Sequence, residues 1–131
     1  MGSEMCIRDS LYTEGLDYDA TPISIGTDLG LEFPLADTVQ PVVDFTPSPS
    51  VSNFTFHQGP RFPGWRNDLL LGSLRARTLF RLRIDDGQLL EQERLLTDLG
   101  RIRDVEMGPG GLVYLLIENS GGGLLLRLVP R

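Results

Sequence analysis

The stretch Arg101-Ile102-Arg103-Asp104-Val105 places two arginines two positions apart. In a strand, alternate residues leave the same face, so both guanidiniums are expected side by side, with Ile102 and Asp104 turned the other way. Such a pair is a planar, permanently charged fork suited to carboxylates, and burying it without an anion is costly. The chemistry offered is anion binding. Two readings stay open on pattern alone: an anionic ligand, or neighbouring acids such as Asp98 and Glu106 with the remainder in solvent.

Other chemistry-bearing residues are sparser. His57, the only histidine, titrates in the range useful to a general base. It stands in FTFHQG without a spaced nucleophile, so a satisfied structural histidine is the expectation. Ser48 and Ser50 alternate with Pro47 and Pro49 and read as turn formers, since no base is positioned to activate them. Asp85-Asp86 lacks the further spaced oxygens of a calcium loop and reads as a hairpin turn. Trp65, in FPGW, is expected to pack beneath a sheet.

Composition narrows the classes. The chain has 131 residues, with 18 acidic against 12 basic side chains and a net charge of −6. Interspersed acidity argues against nucleic acid, which requires a basic stripe. Nothing approaches the run of about eighteen apolar residues that a membrane-inserted helix needs. The single cysteine, Cys6, offers neither a disulfide framework nor a thiolate metal site.

Residues 1–10, MGSEMCIRDS, lack the basic, apolar and small-residue regions of a secretion signal. Read back from a GTG start, they can be written as the transposon-end adapter used in sequencing libraries. They are therefore expected to be non-native, with residues 11–131 a fragment of a longer protein. The stretch before residue 38 is polar and glycine-rich and reads as a long loop between structural units.

The elements that would position the candidate residues are β-strands. Fifteen glycines and nine prolines interrupt the chain too often for long helices. The pattern predicts strands near 38–45, 52–57, 68–74, 78–84, 88–96, 101–107, 112–117 and 123–129. In TLFRLRI, Leu79, Arg81 and Arg83 fall on one face and Phe80, Leu82 and Ile84 on the other. DDG at 85–87 and GPGG at 108–111 read as turns. LFRL and LLRL recur some forty to fifty residues apart, the spacing of β-propeller blades.

TPSPS, FPGW, LLLGSL and RIRDV leading into GPGGLVY occur here in the order and spacing of the glucose/sorbosone dehydrogenase family, which the chain resembles from about residue 15 to its end. That family comprises soluble sugar dehydrogenases that use pyrroloquinoline quinone (PQQ). The resemblance implies an all-β fold, here the C-terminal blades of an incomplete six-bladed β-propeller. It also implies that Arg101, Arg103, Arg75 and Ser48 contact the cofactor, with Arg75 replacing the family's lysine. A calcium ion, a sugar substrate, an external electron acceptor and a periplasmic or secreted location follow from the same resemblance. No residue here matches the family's catalytic base or calcium ligands, which are expected upstream; His57 lies outside the catalytic segment. A non-catalytic propeller that binds a protein or carbohydrate is the alternative.

Overall fold

The computed structural model describes residues 41–130, and these are all-β apart from two short 3-10 turns. Strands β1 (Val51–Phe56), β2 (Leu69–Ser73), β3 (Leu79–Asp85) and β4 (Gln88–Leu95) form one antiparallel sheet in that order. Strands β5 (Arg101–Met107), β6 (Val113–Asn119) and β7 (Gly122–Leu128) form a second. Among the described residues, no helix is long and apolar enough to cross a membrane.

The hairpins follow from local chemistry. Asp86 and Gly87 both have positive φ (45° and 71°), the two-residue geometry whose twist matches that of the flanking strands. Asp85 therefore pairs directly with Gln88. Pro109–Gly111 forms the 3-10 turn between β5 and β6, with the Gly108 N–H donating to Leu112 O at 2.8 Å.

Alternation along the strands builds two apolar layers. Leu70 and Leu79 from the first sheet meet Ile102, Val105, Val113, Leu115 and Ile117 from the second, all buried. Leu69, Leu71, Phe80 and Leu82 point the opposite way, against Val43, Phe45, Ala76, Ile84 and Leu89. The faces read from TLFRLRI are thus the observed ones. Gly72 allows the close approach of the sheets, because a Cβ there would lie 2.8 Å from Ile102 Cγ2 and 2.9 Å from Val105 Cγ2.

The sheets meet at their first strands: β5 packs against β1 and β2. This is the arrangement of consecutive propeller blades, whose inner strands converge on an axis. LFRL lies on β3 and LLRL on β7, the third strand of each sheet, so the sequence repeat is a repeat of position. The propeller is incomplete. Leu116, Leu124, Leu125 and Val129 stand exposed on or just beyond the second sheet, which has three strands against the first sheet's four.

Seven expected strands are present within about two residues of their predicted limits. The eighth, 38–45, is not formed over 41–45; residues 38–40 and the loop before them lie outside the described residues. Pro41, Pro47 and Pro49 lack the N–H that a ladder needs. Val43 and Phe45 instead lie over the outer apolar layer, with Phe45 tilted on Phe80 at a centroid distance of 5.6 Å.

Candidate functional site

β1 and β5 run side by side in the same direction, tied near their starts. Ser52 Oγ donates to Ile102 O at 2.6 Å, and Asn53 Nδ2 donates to Asp104 Oδ1. The antiparallel β2 ends at the same place, where Leu74 N–H donates to Ser50 O (2.8 Å) and Arg75 N–H to Pro49 O (3.1 Å). Ser48, Arg75, Arg101 and Arg103 are therefore all at one end of the converging strands, and all four are exposed.

Both inner strands carry a bulge there. The register passes from Val51↔Ser73 to Phe54↔Leu71 on β1, and from Ile102↔Ile117 to Asp104↔Leu116 on β5. Arg103 is the extra residue of β5, so the strict alternation expected of RIRDV is broken. Ile102 and Val105 point into the core, while Arg101 and Arg103 both reach solvent. Asp104 fixes the bulge: its Oδ1 accepts from Val105 N–H at 3.0 Å as well as from Asn53.

The arginine pair meets a neighbouring acid that the sequence did not suggest. Arg103 Nε donates to Glu118 Oε2 at 2.6 Å, and Nη2 reaches the same oxygen. Asp98 and Glu106 form no ion pair with either arginine. Among the described residues Arg101 has no acidic partner, although Glu118 is its cross-strand neighbour. Counting back from the Met107–Val113 pair without a bulge would set Arg101 opposite Asn119; the bulge brings Glu118 there instead. Nothing in the sequence marks that one-residue shift.

Ser48 Oγ accepts from Ser50 N–H at 3.2 Å, which leaves its own proton available to donate. Ser48 and Arg75 line a hollow of about 460 Å³, with Phe45, Phe80, Gln92 and Arg94 also on its wall. Arg101 and Arg103 do not line it. The residues present suit a polycarboxylate: three guanidiniums and a hydroxyl at one end of the inner strands, with only Glu118 set against them as an acid partner among the described residues. No group of three acidic, histidine or cysteine side chains among the described residues is arranged to hold a metal ion.

The other candidates serve the fold. His57 ends β1 at the opposite end from the arginine pair, fully buried against Phe62 and Trp65. It packs as a core residue, but among the described residues neither ring nitrogen has a hydrogen-bond partner, so the expected satisfied histidine is not what the structure shows. Burial holds its pKa below the usual histidine range, opposed by the Gly111 backbone and the Asp68 charge. Trp65 stacks on Phe62 at 4.5 Å and packs against the core between the sheets.

A second arginine pair escaped notice as an ionic centre. Arg81, 7% exposed, binds Asp68 at 2.5 Å, Glu91 at 3.0 Å and Glu93 at 2.8 Å. Arg83 joins Asp68 at 3.1 Å and Glu91 at 3.2 Å and donates to Gly64 O at 2.8 Å. Burial pulls the Arg81 pKa down, but Asp68, Glu93 and Glu91 outweigh it and the net shift is upward; the Asp68 hydrogen bond raises that of Arg83. The EQE run of β4 was the available signal.

Fold and site together define a segment of a β-propeller with cationic side chains exposed at one end of its converging strands. The sequence pattern of the family described as Glucose / Sorbosone dehydrogenase matches residues 10–127, and the chain belongs to that family. It is 39% identical over 98 residues to the aldose sugar dehydrogenase YliI of Escherichia coli (strain K12), covering 74% of this chain and 26% of that protein. A crystal structure of a glucose dehydrogenase matches 92% of this chain and 34% of its own, at 35% identity and a TM-score of 0.78. The soluble aldose sugar dehydrogenase of Escherichia coli in its apo-form matches the same shares at 34% identity and a TM-score of 0.76. The chain thus spans about a quarter to a third of these relatives' lengths.

Proposed function

We propose that this chain is the cofactor-anchoring part of a PQQ-dependent dehydrogenase that oxidises a C–OH group of a sugar. The observation that carries the reading is the gathering of Arg101, Arg103, Arg75 and Ser48 at one end of the converging inner strands. Arg101 and Arg103 would grip carboxylates of the cofactor, Arg75 would add a third cation, and the Ser48 hydroxyl would donate a hydrogen bond. Hydride acceptance is the chemistry that bound PQQ supplies, and the protein's share is to hold and orient it.

The catalytic base and the calcium ligands belong to parts of the longer protein outside this chain. An external acceptor would reoxidise the cofactor, and the location would be periplasmic or secreted. Residues 1–10 would be an adapter translation and residues 11–131 the natural fragment, which taken alone would be inactive. The test uses a protein of the relatives' length that contains this chain. PQQ with calcium should restore dye reduction with an aldose, and Arg101→Ala combined with Arg103→Ala should abolish cofactor retention. Undiminished retention by that variant would refute the assignment.

A further inference from the structure

We propose that Glu118 is a built-in counter-anion, a positioning residue that holds Arg103 in the ligand-free protein and competes with the incoming ligand's carboxylate. The inference rests on the cofactor reading above and adds a residue to it.

The geometry is that of a replaceable partner. Arg103 Nε and Nη2 both converge on one carboxylate oxygen, Oε2, so the contact lacks the two parallel bonds of a fork-to-fork pair. The two side chains are 43% and 46% exposed, so water screens the pair and little is lost when it opens. A ligand carboxylate that offers two oxygens to Arg103, and a second acidic group for Arg101, forms more charge-assisted bonds than Glu118 does. The β5 bulge makes the competition possible, because it brings Glu118 across from Arg101 while Arg103 swings outward beside it. Asn53 and Val105 hold Asp104, and with it the bulge, independently of Glu118. Removing the glutamate therefore leaves the fork on the same side of the sheet.

The contrast with Arg81 supports the assignment. That guanidinium is nearly buried, and its Nε, Nη1 and Nη2 each already bind a carboxylate. Among the described residues Arg103 has one exposed partner, enough to orient a flexible side chain and too little to exclude an anion.

The test is equilibrium titration with PQQ, in the presence of calcium, of a protein of the relatives' length containing this chain. Glu118→Gln should tighten binding about three- to fivefold, the upper part of the range that loss of an exposed pair spans. In an Arg103→Ala background, which keeps Arg101, the same substitution should change affinity by less than about 1.5-fold, because the competition acts through Arg103. Unchanged or weaker binding by Glu118→Gln overturns the inference while the cofactor reading stands, provided the Arg101→Ala, Arg103→Ala protein loses PQQ. A gain that persists without Arg103 also overturns it, reducing Glu118 to a diffuse charge. Absence of PQQ binding by the unsubstituted protein overturns the cofactor reading and this inference together.

Discussion

Arg81 and Arg83 on β3 and Arg101 and Arg103 on β5 share one sequence pattern, arginine-apolar-arginine in a strand, and have opposite fates. The first pair is held by Asp68, Glu91 and Glu93, and Trp65 lies beneath Arg81 at 6.0 Å. The second has, among the described residues, one half-exposed acid, which pairs with Arg103 and not with Arg101. What separates them is the neighbouring strand. β4 places Gln88-Leu-Leu-Glu-Gln-Glu beside β3, so two carboxylates face the arginines, whereas β6 places Tyr114-Leu-Leu-Ile-Glu beside β5 and supplies one. On the proposed reading, the second pair is left for a ligand because its fold sets fewer carboxylates against it.

The comparison breaks first, if it is wrong, at Asp68. Its side chain is 3% exposed and bridges both arginines of the first pair. Asp68→Asn leaves Arg81 largely buried with only Glu91 and Glu93 to compensate, and should destabilise by about 3 kcal/mol, the lower end for breaking a buried pair. Urea unfolding checks this. Glu93→Gln, whose side chain is 46% exposed, should lose less than about 1 kcal/mol and serves as the contrast.

How far each fate could be read beforehand differs. The strands were legible because alternation and turn chemistry agree: TLFRLRI followed by Asp-Asp-Gly admits one hairpin and one pair of faces. The repeat was legible because LFRL and LLRL occupy equivalent strands. Residues 41–45 misled, since an apolar run that covers a sheet resembles one that joins it, and only the prolines distinguish the two. The proposed site residues were named through the family's motifs alone, and Glu118 was not legible at all. A bulge changes register without changing composition, so its effect on pairing is visible only in the folded sheet.

Acid sharpens the contrast between the two ends of the strands. His57 sits at the end held by Asp68, with its pKa lowered by burial. The unfolded chain therefore takes up the proton more readily than the native one once pH falls below about 6.5. Stability from this group is complete above that value. It is lost as pH falls from there toward the lowered native pKa, by up to about 1.4 kcal/mol per pH unit. His57→Leu should flatten that part of the profile, a change read from urea midpoints over the acid range. An unchanged profile would mean that the buried ring is protonated without penalty.

The smallest expected effect bears most directly on function. Arg101→Ala with Arg103→Ala removes one exposed ion pair and two solvated side chains, while Asn53, Asp104 and the Val105 N–H keep the bulge. Ile102 and Val105 remain in the core, so the cavity and buried-charge mechanisms behind large losses are not engaged. The unfolding free energy should fall by no more than about 0.5–1 kcal/mol, and PQQ retention should vanish. A loss approaching that of Asp68→Asn would make this pair a structural centre like the one on β3, and a fork that the fold needs for its own stability is not one reserved for a ligand.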